Sequence, residues 1–116
     1  MDKLVDVVLA GLQNVKANNV EILDLTKLEN AVCEYFIVCD GTSNTHVSAL
    51  AESVVKEVKE VFGDNPWRKE GFGNNEWIIL DYSSVVVHVF QQHTREYYNI
   101  EELWADAEIT KVEQEK

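Results

Sequence analysis

Basic residues are scarce in this chain: Lys and Arg number 10 against 21 Asp and Glu, a formal charge of −11. A surface of that sign is repelled by phosphate backbones, so little or no direct nucleic-acid contact is expected. Anionic membranes are disfavoured for the same reason. Cysteine is limited to Cys33 and Cys39. Their spacing matches no zinc-ligand rule, and both are read as reduced thiols, with Cys39 inside an apolar strand pattern. No metal or cofactor is expected. No apolar run approaches the roughly 20 residues that a membrane-spanning helix requires. Met1-Asp2-Lys3-Leu4 lacks a basic leader ahead of an apolar stretch, so a cytosolic location is expected.

What the chain does have is ordinary globular composition, with 46% hydrophobic and 27% charged residues. A single domain of this length buries about two thirds of its unfolded surface. The negative field would attract a basic protein.

Leu4, Val5, Val8, Leu9, Leu12 and Val15 recur at helical spacing, with Asp2 as N-cap and Asn18-Asn19 as stop. Residues 20–25 alternate apolar and acidic side chains and are read as a short strand near a sheet edge. Residues 35–38 form a compact apolar strand that ends in Cys39-Asp40-Gly41. Thr42 or Ser43 caps a second helix, whose stripe is Val47, Leu50, Ala51, Val54, Val55, Val58, Val61 and Phe62. Gly63 ends it and Asp64-Asn65-Pro66 keeps it from resuming. A polar strand at 67–70 and a turn at 71–75 follow. Thr94 to Tyr98 makes a helical turn, and Asn99 with Glu102 resembles a capping box. Beyond Trp104 the only apolar anchors are Ile109 and Val112, so residues 1–107 are expected to form the domain and 108–116 a mobile acidic tail. Strand, helix and strand across 35–70 imply a crossover followed by an antiparallel meander. The fold expected is a single α/β domain with a mixed β-sheet and flanking helices.

The densest stretch is 77–104. Residues 77–80 and 85–90 read as a β-hairpin around Asp81, Tyr82, Ser83 and Ser84. Ile78, Ile79 and Leu80 are all apolar, as are Val85, Val86 and Val87, so both faces of the hairpin want cover. Either the second face packs internally or it docks a partner. Trp77, Tyr82, Tyr97, Tyr98 and Trp104 fall here, and Trp and Tyr are enriched at binding hot spots.

A Gly-Thr-Ser element opening a helix invites a phosphate-binding reading. A metal-dependent nucleotidyltransferase would also need a pair of carboxylates to hold its ions. Asp81 stands alone, because two residues on is Ser83. His88 is read as a hydrogen-bonded structural group, His46 and His93 are solitary, and no nucleophile signature is present. Catalysis is therefore the weaker reading. A homodimeric interaction module with some other partner is a further alternative.

Several of these segments together carry a resemblance. They are Tyr35-Phe36-Ile37-Val38-Cys39-Asp40-Gly41-Thr42-Ser43, His46, Trp77-Ile78-Ile79-Leu80-Asp81, Val85-Val86-Val87-His88-Val89-Phe90, and Arg95, Tyr98, Glu101, Leu103 and Trp104. The combination resembles the ribosomal silencing factor RsfS, or Iojap, family over residues 2–107. That resemblance implies a nucleotidyltransferase-like fold without catalysis. It also implies binding to the large ribosomal subunit through its fourteenth protein, L14, which blocks association with the small subunit and represses translation. By the same resemblance Trp77 and Ile78 are an exposed contact pair, with Asp81, Tyr97, Tyr98, Leu103 and Trp104 nearby, and homodimers are possible. Glu34 stands where many members have Asp, and Ser83-Ser84 replaces a frequent Gly-Asp turn.

Overall fold

The computed structural model describes residues 3–113, and the predicted cap at Asp2 lies outside them. Helix α1 (Lys3–Asn14) buries Val5, Val8, Gly11 and Leu12. Helix α2 (Asn44–Phe62) buries Val47, Leu50, Ala51, Val54 and Val58 along one stripe. The two pack closely because Gly11 has no side chain: a Cβ there would lie 2.9 Å from the Val54 Cα. Ser53 Oγ donates to the Gly11 carbonyl across the same contact at 2.7 Å. Val61 and Phe62, assigned to the buried stripe by spacing, are 57% and 41% exposed.

Six strands form one sheet in the order β3-β4-β5-β2-β1-β6. They are β1 (Asn18–Asp24), β2 (Tyr35–Gly41), β3 (Arg68–Glu70), β4 (Trp77–Asp81), β5 (Val85–Gln91) and β6 (Glu108–Lys111). The predicted crossover and meander are present: β3, β4 and β5 are antiparallel neighbours, and β5 returns to lie parallel to β2. Two short helices, α3 (Gln92–Tyr98) and α4 (Ile100–Leu103), follow β5.

Two expectations are corrected. Residues 108–111 are not a free tail. They pair with β1, with Ile109 opposite Leu23. This places β1 one strand in from the edge. Backbone hydrogen bonding to an open strand edge needs no apolar run, which is why the polar Glu108–Lys111 segment could pair unannounced. Nor do Asn99 and Glu102 form a capping box. Asn99 is left-handed (φ 43°) with no side-chain cap bond. Its amide Nδ2 donates to the Glu102 carboxylate at 2.6 Å instead.

Strand alternation divides the core in two. On one face, under α1 and α2, lie Ile22, Ile37, Cys39, Ile78, Leu80, Val85, Val87 and Val89. On the other lie Leu23, Phe36, Val38 and Phe90, with Leu25 and Ile100 closing over them. Helices cover the first face. The second is roofed by the loop after β1 and by α3 and α4, and its cover thins toward β4, where Trp77, Ile79 and Asp81 are only half-buried.

Candidate functional site: an aromatic platform on the uncovered sheet face

In β4 side chains alternate, so Trp77, Ile79 and Asp81 share the thinly covered face while Ile78 and Leu80 point under the helices. Ile78 is 0% exposed, which corrects the expectation that it forms an exposed pair with Trp77. The hairpin register sets it opposite Val89, in the helix-covered core. Ile79 is the aliphatic residue on the Trp77 side. Tyr82 also leaves the group, since its ring packs into the helix-side core.

The remaining aromatics form a continuous row across the sheet. Trp77 stacks on Phe90 with ring centroids 4.8 Å apart, and the tilted ring of Tyr98 also lies 4.8 Å from the indole. Tyr97 meets Tyr98 edge-on at 5.1 Å. In the opposite direction His88 lies 5.9 Å from Trp77 and 4.7 Å from Phe36, and Phe36 meets Trp104 at 5.6 Å. Phe90, Phe36 and His88 in this row are buried, while its outer end is open: Tyr97 is 82% exposed and Tyr98 49%, and Leu103 on α4 is 77% exposed.

His88 fixes the centre of this row. The Trp77 indole Nε1–H donates to His88 Nδ1 at 3.1 Å. Nδ1 is therefore the acceptor and the ring is neutral, with its proton on Nε2. Burial pushes the His88 pKa down to about 4, so the acceptor persists at neutral pH. The structural role predicted for His88 is what the geometry gives, and its specific service is to orient Trp77.

Arg95 anchors the other wall. It is buried, donating from Nη1 to Asp40 at 3.0 Å and to the Asn19 carbonyl at 2.7 Å, and from Nε to Glu101 at 3.1 Å; Nη2 lies 3.6 Å from Glu21. These bonds tie α3, and with it Tyr97 and Tyr98, to β1, β2 and α4. Asp40, at the end of the strand read from residues 35–38, is the buried counterion of this cluster. Sequence spacing gave no sign of it, since Arg95 and Asp40 are 55 residues apart. Asp81 accepts from the Ser83 N–H at 2.8 Å within the hairpin turn and lies 3.8 Å from Arg68.

The Gly-Thr-Ser element is engaged internally. Ser43 Oγ accepts from the His46 N–H at 3.1 Å, and the Thr42 N–H donates to His46 Nδ1 at 2.9 Å. His46 Nε2 then donates to the Val15 carbonyl at 2.7 Å, so this histidine ties α2 to the end of α1. The Thr42 and His46 N–H groups at that helix start are thus taken up by side chains of the same segment. Among the described residues no group of three His, Cys, Asp or Glu is placed to hold a metal ion. No helix among them is long and apolar enough to cross a membrane.

A family profile described as "Ribosomal silencing factor during starvation" (RsfS) matches residues 1–116. The chain belongs to the RsfS family. It is 33% identical over 106 residues to the ribosomal silencing factor RsfS of Bacillus subtilis, covering 91% of this chain and 88% of that protein. The Chromobacterium violaceum RsfS is 38% identical over 96 residues, 83% of this chain and 77% of the relative. A crystal structure of a C. violaceum protein superposes with a TM-score of 0.84 at 34% identity, covering 100% of this chain and 98% of that one. A Bacillus halodurans crystal structure gives 0.79 at 32% identity, with 96% and 97% covered. These RsfS relatives carry the name of a ribosome regulator, and the α/β fold expected from the sequence is the one found.

Proposed function

We propose that this RsfS family member silences translation by steric exclusion: it docks on the large ribosomal subunit through L14 and so keeps the small subunit from joining. The observation that carries this reading is the aromatic row of Trp77, Tyr98 and Tyr97, with Ile79 on the same face of β4 and Leu103 exposed on α4. Aromatic anchors held in one conformation lose little entropy on binding. Their rim is acidic, with Glu76 and Glu96 exposed near Trp77 and Tyr97, and this complements a basic ribosomal protein. Trp104 and Asp81 border the platform, and occupancy of the site requires no bond to be made or broken. The chemistry is that of a binding protein rather than an enzyme.

Sedimentation through sucrose with separated subunits tests this. The protein should pellet with large subunits and stay in the supernatant with small ones, and it should lower the light-scattering signal of subunit joining. Tyr97→Glu with Leu103→Glu places charge on two exposed positions, so the thermal transition should be retained while co-pelleting is lost. Unchanged pelleting by the double variant would sink the assignment of this face.

A further inference from the structure

The net charge of −11 conceals a local reversal of sign. Four of the 10 basic residues, Lys56, Lys59, Arg68 and Lys69, lie in one short interval of sequence. The fold brings three of them around one hollow. Lys56 and Lys59 are one turn apart on α2, and Lys69 crosses from β3, where its register opposite Leu80 turns it to the helix side. With Glu52, Val55, Asn65 and Phe72 they line a cavity of about 380 Å³. Its one acid is outnumbered three to one. All three lysines are exposed, and the ion pairs among the described residues engage Lys27, Arg68 and Arg95 rather than these. Lys59 Nζ reaches only the Gly63 carbonyl, at 3.3 Å. Lys69 Nζ stands 5.9 Å from the centre of the Phe72 ring, which is 42% exposed.

We propose that this cradle grips the phosphate backbone of RNA, with Phe72 offering a ring for a base to stack on. Clustered ammoniums beside an exposed aromatic match the two chemistries of a single strand, anionic phosphates and flat bases. The placement also fits the ribosomal reading on which this inference rests. Strand β3 sends Arg68 and Glu70 to the platform side, opposite Asp81 and Ile79, and Lys69 to the cradle side. One sheet edge thus joins an acid-rimmed face suited to a basic protein with a basic hollow suited to the RNA beside it. An acidic peptide would satisfy the charges but leave Phe72 unused.

Fluorescence anisotropy with a labelled 12-nucleotide single-stranded RNA tests the cradle apart from the platform. Three phosphate contacts give a slope of about −2 in log affinity against log salt, so binding should weaken about twentyfold between 50 and 200 mM KCl. The Lys56→Gln/Lys59→Gln/Lys69→Gln variant should bind at least tenfold more weakly and lose that salt slope, with its thermal transition unchanged. The Tyr97→Glu/Leu103→Glu variant should retain RNA binding while losing subunit binding. Failure of the wild type to pellet with large subunits would therefore overturn the ribosomal reading and leave the RNA measurement to decide the cradle. Equal RNA affinity in wild type and triple variant, no RNA binding at 50 mM KCl, or equal competition by a poly-glutamate peptide would each overturn the cradle.

Discussion

Removing the guanidinium of Arg95 gives the sharpest energetic test of how the platform is held. Arg95→Met keeps much of the side-chain volume but strands Asp40, which is 4% exposed and depends on the Nη1 contact at 3.0 Å for its countercharge. The Asn19 carbonyl and the partly buried Glu101 lose their donors in the same step. Breaking a buried ion pair from one side costs about 3–5 kcal/mol, most of it from the unpaired charge. With about 4 °C per kcal/mol at this chain length, the melting temperature should fall by about 12–20 °C. Arg95→Met with Asp40→Asn removes the stranded charge, so the double variant should regain about half of the loss or more. Thermal and urea unfolding followed by circular dichroism read both quantities. A loss under about 1 kcal/mol for Arg95→Met, or a double variant no better than the single one, would refute the account of Arg95 as the cluster's sole counterion.

Other consequences are as direct. His88 has its folded pKa depressed from 6.5 to about 4, so its contribution is complete above pH 6.5 and is lost as pH falls toward 4. Wild-type unfolding free energy should drop by about 3 kcal/mol more than that of His88→Leu over this window, and parallel pH profiles would count against it. At pH 7 the indole of Trp77 in His88→Leu lacks its acceptor, and large-subunit affinity should weaken about two- to tenfold, read by pelleting titration. Gly71 adopts φ +94°, and a Cβ there would lie 1.9 Å from the Trp77 carbonyl oxygen. Gly71→Ala should therefore destabilise by about 2 kcal/mol or more and disturb the Trp77 fluorescence maximum, whereas Gly73→Ala, with open space around it, should be milder. Burial pushes the Cys33 thiol up to about 11 and Cys39 up to about 12. Iodoacetamide at pH 8 should label native protein slowly at both and unfolded protein rapidly; fast native labelling of Cys39 would contradict its burial.

The two amphipathic helices, the hairpin and the cap at Ser43 were legible because each is written in contiguous spacing. The site was legible only in part. Composition placed Trp77, Tyr97, Tyr98 and Trp104 in one stretch, but which neighbour of Trp77 shares its face is a matter of parity. Ile78 and Ile79 are equally apolar, and only the i, i+2 rule applied from Trp77 selects Ile79. The Arg95 cluster and the pairing of β6 depend on contacts between segments far apart in sequence, which no local period records. Net charge is silent on a further point, because a sum over the chain carries no information on where Lys56, Lys59 and Lys69 meet.

The parallel pairing of β2 with β5 bears on the protein's own synthesis. Residues 35–41 find their central neighbour only in residues 85–91, so the sheet stays split until most of the chain has left the exit tunnel. Trp77 has neither Phe90 to lie on nor His88 to hold it before then. The aromatic row around Trp77 therefore forms only once residues 85–91 have joined the sheet.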